Sequence, residues 1–433
     1  MMNHLWLVHD EPRSHKSGQL RVGTRFAQDR GMIEPVLISG PDVWMESEAT
    51  RQLVAVAQLE GCVHAAGMPD LHPGRGFPIG AVVATREVVH PHLVGGDAGC
   101  GARVVVTSVE KTAPDRLERR LRTAFEANLF EAVDPGALFE AVWQTGARAL
   151  AELDGIPDDL RRLAAREPAT DALPPSADAA PYRLGFESSL GTIGGGNHFA
   201  EIARVGRVVD REAGDAIGLA RNAIVVLAHS GSRGLGAALA ATWAMRTLRG
   251  DDRDRYLGEL AGACRYARAN RLILTYRLLS ALGALRDHTL RGSFDVSHND
   301  VRNEAVAGAS AWVHRKGAAP APADALTIVL GSRGAPSWIM KGTGAEAGLR
   351  SVAHGAGRRM TRSEAVDKLK HRYHRSEVVR SALGSRVVCD DKILLFEEHP
   401  DAYKAIEPVI AALETHHQAT RVADLTPIIT VKL

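Results

Sequence analysis

Hydrophobic and polar positions along the chain form two patterns, one typical of helices and one typical of buried strands, and stretches of the two patterns are interleaved. Apolar residues recur at helical spacing in 46–59, 235–248, 253–290, 361–369 and 402–413, and in two stretches of 114–153 that are broken at Asp134-Pro135-Gly136. Short aliphatic runs bounded by turn residues predict buried strands at 82–84, 103–107, 223–228, 326–330 and 428–431. Because there is no regular strand–helix–strand alternation, the pattern predicts a complex α+β fold rather than a doubly wound sheet.

Two segments depart from this pattern. Residues 1–30 are polar and weakly patterned, so we expect a loosely ordered lead-in followed by one domain over 31–433. Residues 154–182 are rich in alanine, proline and aspartate, which predicts a surface insertion.

The amino-acid composition excludes some classes of protein and some kinds of binding partner. The 53 basic and 51 acidic residues give a formal charge of +2, which excludes a histone-like nucleic-acid binder. The four cysteines, Cys62, Cys100, Cys264 and Cys389, form no CxxC pair, which favours a reducing compartment. No apolar run approaches the ~18–20 residues of a membrane span, and the N-terminus lacks a secretory signal. We therefore expect a cytoplasmic protein that does not contact a membrane.

Glycine is unusually frequent, at 42 of 433 residues, against an average of ~7%. Many of these glycines lie in loops that also carry a histidine, or an aspartate with a cysteine. The loops are 68–76, 94–101, 191–201, 228–236 and 353–358. Two related segments are 297–304, which has a histidine but no glycine, and 330–337, which has glycines but no histidine. One such loop would be a weak signal, but their repetition indicates a shared site.

The side chains in four of these loops are metal-ligand types. Asp97 and Cys100 are spaced so that a carboxylate and a thiolate can close on one ion, and His198, His229 and His298 add three imidazoles. Any one of these histidines could be an ordinary buried side chain, but packing does not explain the glycines that recur near Cys100, His198 and His229. Thiolate and imidazole favour zinc, iron or cobalt over manganese, so the residue types predict one or two transition-metal ions.

His354 lies in a different setting, the sequence H-G-A-G-R. The glycines expose backbone N–H groups that can cradle a phosphate, and Arg358 could clamp its oxygens. His354 could be a ligand, a general base or a nucleophile, or it could simply hydrogen-bond its own turn. The chain has no Walker A loop and no GxGxxG opening a helix after a strand, which argues against P-loop and Rossmann mechanisms.

At these loops the sequence resembles the RtcB family of RNA-splicing ligases. The match is carried by P-D-x-H in 68–85, G-x-D-x-G-C-G in 94–101, G-N-H-F-x-E in 191–202, H-S-G-S-R-G in 229–236, H-N in 297–304, R-K-G-A and G-S in 315–344, and H-G-A-G-R-x-M-S/T-R in 351–362. The resemblance covers nearly the whole chain, from Ile33 to Leu433. It implies a single-core fold with mixed sheets in which the glycine-rich loops converge on a central metal site.

The resemblance also implies an activity. An enzyme of this family joins RNA ends bearing a 3′-phosphate or a 2′,3′-cyclic phosphate to 5′-hydroxyl ends, using GTP and two Mn²⁺ ions. By resemblance, Asp97, Cys100, His198, His229 and His298 would hold the ions, with Cys100 shared, and His354 would be the catalytic nucleophile that carries GMP. The implied nucleotide contacts are Asn197, His198, Phe199, Ala200, Glu201, His298, Asn299, Leu330, Gly331, Ser332, Arg333, Ser337, His354, Gly355, Ala356, Gly357, Tyr403 and Lys432.

Three residues depart from the family pattern and suggest a divergent bacterial branch. Leu330 replaces a usual proline, Arg333 a usual methionine, and Gly96 a bulkier residue. Two other functions stay open: a binuclear metal phosphodiesterase that activates water, and an inactive RNA-binding homologue. The sequence leaves open which RNA is the substrate, the oligomeric state and any activating protein partner.

Overall fold

A computed structural model describes residues 32–433 apart from 170, 183 and 184. The lead-in predicted at 1–30 lies outside the described residues. Residues Met32–Leu433 group as one unit. The strands are β1 Val36–Leu37, β2 Cys62–His72, β3 Ile79–Thr85, β4 Gly101–Thr107, β5 Phe199–Val208, β6 Ile224–Ser230, β7 Leu290–Ser297, β8 Asn299–Val306, β9 Ala309–Lys316, β10 Ala318–Pro320, β11 Leu326–Val329, β12 Ser337–Gly342, β13 Ser351–Ala353, β14 Arg386–Cys389 and β15 Ala419–Lys432.

The helices are interspersed among these strands. They are α1 Ser47–Ala57, α2 Pro114–Glu126, α3 Pro135–Thr145, α4 Asp158–Ala164, α5 Arg211–Ala216, α6 Gly234–Thr242, α7 Gly250–Leu282, α8 Arg362–Leu369, α9 Arg375–Val378, α10 Lys392–Glu397 and α11 Ile406–Thr415. The predicted α+β class is confirmed. None of the helices in the described part of the chain is both long enough and apolar enough to cross a membrane.

Two mixed sheets organise the strands. The larger has the order β11-β12-β15-β5-β6-β4-β7, with β14 alongside β15, and the second has the order β1-β2-β3-β9-β8. Neighbouring strands are antiparallel except for the parallel pairs β14–β15 and β1–β2. A short pair, β10–β13, completes the set. Parallel and antiparallel pairs therefore coexist without Rossmann topology.

The long helix α7 packs against β4, β5 and β6 of the larger sheet. Most of its 33 residues are buried, including polar ones such as Asn270 and Arg271. The predicted helix over 253–290 was wrong at its end. Gly283 adopts a left-handed conformation that stops the helix, and Leu290 already begins β7.

The predicted insertion, 154–182, contains α4 and then runs over α7. Its Asp171 lies 2.8 Å from the guanidinium of Arg265, and its Ala177 carbonyl accepts a hydrogen bond from Trp143 Nε1. Tyr182 is buried, with its hydroxyl donating to Glu259 of α7. This segment is thus joined to the long helix by both polar and apolar contacts.

Candidate active site

Four adjacent strands of the larger sheet bring the predicted metal ligands to one edge. The strands are neighbours in the order β5-β6-β4-β7. Cys100 directly precedes β4, His198 directly precedes β5, His229 is the second-last residue of β6, and His298 directly follows β7. Because these strands alternate in direction, two starts and two ends meet at the same edge, so residues far apart in sequence become neighbours.

The side-chain atoms that face one another are all potential ligand atoms. The thiol sulfur of Cys100 lies 3.3 Å from His198 Nε2 and 3.5 Å from His229 Nε2. His198 Nε2 is 3.0 Å from a carboxylate oxygen of Asp97, and the Nε2 atoms of His229 and His298 are 3.4 Å apart. Two groups result, Asp97–Cys100–His198 and Cys100–His229–His298, and each has its ligand atoms within 4.8 Å of one another.

The protonation of two of the histidines, His229 and His298, suits cation binding. His229 Nδ1 faces the carbonyl oxygen of Asn197 at 3.1 Å, so it carries the proton and leaves the Nε2 lone pair directed at Cys100 and His298. Burial, together with the neighbouring imidazoles, holds the pKa of His229 and of His298 well below the ordinary value, so both rings are neutral at pH 7. Lone pairs crowded in this way are stabilised by a cation between them, and the donor set fits two transition-metal ions that share the thiolate.

His354, the predicted nucleophile, lies next to this cluster, just after β13. Its ring centroid is 4.8 Å from that of His298. Its Nδ1 is 2.6 Å from a carboxylate oxygen of Asp70 and 2.7 Å from the carbonyl oxygen of Gly317. The proton is therefore held on Nδ1, and Nε2 carries the lone pair available for attack. Although burial alone would lower it, the pKa of His354 is raised because the Asp70 carboxylate stabilises the imidazolium.

Asp70 is a site residue to which the sequence assigned no role. It lies in β2, its carboxyl group is fully buried, and neither oxygen has another hydrogen-bond partner. The only sequence signal was its place in P-D-x-H, since 284 positions separate it from His354 along the chain. Strand β2, which contains Asp70, packs against β13, which ends just before His354, and this packing brings the two residues together.

The two ligand groups together, Asp97, Cys100, His198, His229 and His298, form a metal-type cluster. A cavity of about 840 Å³ opens beside His354 and this metal-type cluster. It is lined by most of the predicted nucleotide and metal residues. These are Asp97, Cys100, Asn197, Phe199, Glu201, His229, His298, Asn299, Leu330, Gly331, Ser332, Arg333, His354, Gly355, Ala356, Gly357, Tyr403 and Lys432.

Three predicted residues do not line this cavity. His198 lies behind it, in the metal-type cluster. The side chain of Ala200 is fully buried in the core on the far side of β5, so only its backbone could take part. Ser337 accepts a hydrogen bond from the Gly331 backbone N–H at 3.0 Å and thereby supports the loop rather than facing the cavity.

One wall of the cavity holds two buried ionisable side chains, Glu201 and Lys432. Glu201 accepts a hydrogen bond from the Thr430 hydroxyl through one oxygen, and its other oxygen is buried without a partner. Burial raises the pKa of Glu201 to about 7 and lowers that of Lys432 to about 8. Lys432 Nζ donates to the carbonyl oxygens of Gly196 and His198, both at 2.8 Å, which fixes its position.

Two of the arginines that line the cavity, Arg333 and Arg358, make different contacts. Arg358, expected to clamp phosphate, instead donates to Glu398, to the Tyr403 hydroxyl and to the carbonyl oxygens of Glu397 and Met360, so it braces the cavity wall. Arg333 donates through Nη2 to the carbonyl oxygen of Leu395 at 2.7 Å. Its Nη1 is buried without a partner, and burial lowers its pKa to about 10.

Comparison with known proteins agrees with this geometry. A family model described as tRNA-splicing ligase RtcB matches residues 52–250 and 242–433, which is most of the chain. The chain belongs to the RtcB family. It is 37% identical over 402 residues to RNA-splicing ligase RtcB2 of Escherichia coli strain ATCC 25922, covering 91% of this chain and 94% of that protein.

Other RtcB proteins are similar over comparable lengths. RNA-splicing ligase RtcB of Mycobacterium bovis is 32% identical, with 88% of this chain and all of that protein covered. tRNA-splicing ligase RtcB of Methanococcus maripaludis is 28% identical, with 90% and 92% covered. The RtcB resemblance seen in the sequence motifs is therefore confirmed over nearly the full length.

Proposed function

We propose that this RtcB-family protein is a GTP-dependent RNA ligase that joins 3′-phosphate or 2′,3′-cyclic phosphate ends to 5′-hydroxyl ends. The observation that carries the proposal is the placement of His354. Its Nδ1 is held by the buried Asp70, its ring lies next to that of His298 in the metal-type cluster, and both His354 and this cluster border one cavity. A water-activating hydrolase needs no covalent nucleotide, so a nucleophilic role for His354 would distinguish a ligase from it.

The nucleophile is His354 Nε2. It would attack the α-phosphorus of GTP, forming an N–P bond while pyrophosphate leaves with the electrons of the broken P–O bond. A 2′,3′-cyclic phosphate end must first be opened by water to a 3′-phosphate. GMP held on histidine can then be transferred to an oxygen of that 3′-phosphate as the N–P bond breaks, and GMP leaves when the 5′-hydroxyl attacks the 3′-phosphorus. Asp70 keeps the ring oriented and disperses the positive charge that develops on it during attack.

Two Mn²⁺ ions would be held by Asp97, Cys100 and His198 on one side and by Cys100, His229 and His298 on the other. When bound, such ions neutralise charge on reacting phosphates. The donor set supports a transition metal, and the choice of Mn²⁺ rests on the family.

The nucleotide would occupy the cavity between His354 and the wall that contains Glu201 and Lys432. A carboxylate can accept from the N1 and N2 donors of guanine, and an ammonium group can donate to its O6. Tyr403 supplies an aromatic ring at the same wall, its hydroxyl anchored on Glu398. Cytoplasmic location is part of the proposal and is supported by four cysteines that are all free.

A ligation assay tests the proposal. The protein is incubated with GTP, Mn²⁺ and two RNA strands, one ending in a 3′-phosphate and one beginning with a 5′-hydroxyl, and the products are separated on a denaturing gel. The proposal predicts a joined strand that requires GTP and disappears in His354→Ala. Release of phosphate or cleavage without joining would instead support the hydrolase, and RNA binding with no reaction would support an inactive homologue.

A further inference from the structure

A single arginine on the long helix α7 contacts three of the segments that carry the proposed metal ligands. Arg271 is fully buried. Its Nη1 donates to the carbonyl oxygens of Gly99 at 2.7 Å and Ser230 at 2.9 Å, and its Nη2 reaches the Ser297 hydroxyl at 3.3 Å. Its Nε and Nη2 also hold the Asp295 carboxylate at 2.9 and 2.6 Å.

Each of the three loop contacts is made one residue away from a proposed ligand. Gly99 precedes Cys100, Ser230 follows His229, and Ser297 precedes His298. These are the three residues of one ligand group, Cys100–His229–His298. A displacement of any of the contacted backbone segments would therefore move a ligand atom directly.

The guanidinium has no spare donor. Its five N–H groups are matched by five acceptors: two carbonyl oxygens, one hydroxyl and two carboxylate oxygens. A lysine has three donors on one nitrogen and cannot reach acceptors that are spread around a planar fork. Only arginine can make all five contacts, whereas an ordinary buried ion pair could also be made by lysine.

The neighbouring Asn270 extends the same contact surface. Its side-chain oxygen accepts from the Gly191 N–H at 2.6 Å, and its amide nitrogen donates to the Thr192 carbonyl oxygen and the Ser230 hydroxyl. Gly191 and Thr192 belong to the loop that leads to His198. In addition, a side chain at Gly99 would collide with the backbone of Cys264, so the Asp97–Cys100 loop rests directly on α7.

We propose that Arg271 is a positioning residue that sets the spacing of the metal ligands, by holding three ligand-bearing segments against one rigid helix. The proposal rests on the proposed metal site. The Asp295 carboxylate compensates the buried positive charge of Arg271. The guanidinium can therefore hold the three ligand-bearing segments without placing an unpaired positive charge beside the metal ions.

The helix offers a matched control. Arg265 is also largely buried, and it pairs with Asp171 at 2.8 Å and donates to the Ser176 hydroxyl at 2.7 Å. These partners lie in the segment packed over α7 and away from the proposed ligands. Arg265→Lys therefore disturbs a comparable buried ion pair without touching the metal-bearing loops.

The test measures Mn²⁺ binding to the metal-free full-length protein by calorimetric titration, alongside its melting temperature. Arg271→Lys is expected to weaken Mn²⁺ binding by about 10- to 100-fold, the range seen when residues that support metal ligands are changed. Arg265→Lys is expected to lower the melting temperature while leaving the Mn²⁺ dissociation constant within about twofold of wild type. Asp295→Asn provides a second variant of the same contact should Arg271→Lys fail to fold.

The possible outcomes distinguish a failure of the positioning role from a failure of the proposed metal site. If the wild type binds no Mn²⁺, the metal site is wrong and the proposal falls with it. If the wild type binds Mn²⁺ and Arg271→Lys or Asp295→Asn binds it equally well, the positioning role alone is overturned. Equal weakening in Arg271→Lys and Arg265→Lys would also overturn it, because the effect would then be general destabilisation.

Discussion

The imidazole of His354 and the carboxylate of Asp70 lie 2.6 Å apart between Nδ1 and Oδ2, although they come from opposite ends of the chain. The contact is fully buried on the Asp70 side, where no other group satisfies the carboxylate. An unpaired buried carboxylate is costly, so the pair fixes the tautomer and orientation of His354 before any nucleotide arrives.

Asp70→Asn should therefore impair attack by His354 without removing metal. The amide can present an N–H to Nδ1 and favour the wrong tautomer, and it cannot stabilise positive charge on the ring. We expect the rate of covalent nucleotide labelling to fall by at least about 100-fold, the usual scale for a lost acid–base partner. Metal content, measured by mass spectrometry of the metal ions, should stay at the wild-type value, and a variant labelled at the wild-type rate would show that Asp70 does not orient the ring.

Cys100→Ala should lower metal content and abolish both nucleotide labelling and ligation. The thiolate is common to both ligand groups, and without its negative charge two bound dications would repel each other. Cys264→Ala is the matched control, because Cys264 is equally buried and lies in α7 outside both ligand groups. It should keep its metal and lose on the order of 1 kcal/mol of stability. Full metal occupancy in Cys100→Ala would remove the shared thiolate from the account.

Lys432→Ala should erode the choice of GTP over ATP. The ammonium group can donate to guanine O6, whereas adenine presents an amino donor at that position and leaves the buried lysine without an acceptor. The measurement compares labelling by GTP and ATP in the wild type and the variant. Equal labelling of the wild type by the two nucleotides would contradict the assignment of this wall to the base.

Arg333→Met restores the residue usual in the family. Its effects on the melting temperature and on the KM for GTP should differ. Burial of Arg333 Nη1 without a partner costs free energy, so the apolar side chain should leave the melting temperature unchanged or raise it. If Nη1 is satisfied by the nucleotide, the KM for GTP should rise several-fold in the variant. An unchanged KM would place Arg333 outside the nucleotide contacts.

Much of the active site could be predicted from the sequence because its residues carry recognisable neighbours. His198, His229 and His298 each lie beside serine or asparagine in the sequence, and Cys100 follows Asp97 at ligand spacing. The structure brings all five together at one sheet edge, as the motifs predicted, although their roles are still to be tested.

The parts that were missed depend on tertiary contacts. Asp70 and Arg271 contact partners more than twenty positions away, and nothing in their local sequence signals those partners. The contacts of Arg358 were missed for the same reason: Glu398 and the Tyr403 hydroxyl accept from its Nη1, while its contact with phosphate stays a prediction. The helix end at Gly283 was missed because apolar spacing continues past it, while the left-handed glycine stops the helix.

The most direct measurement of the central claim is to locate the covalent nucleotide. The wild-type protein is incubated with α-phosphate-labelled GTP and Mn²⁺, denatured, treated with acid or alkali, and mapped by mass spectrometry. The account predicts GMP on His354 through a bond that is lost in acid and survives alkali, as expected for a phosphoramidate, and no label in His354→Asn although that variant keeps its metal. A label on another residue, or a His354→Asn protein that still seals 3′-phosphate RNA at the wild-type rate, would contradict it.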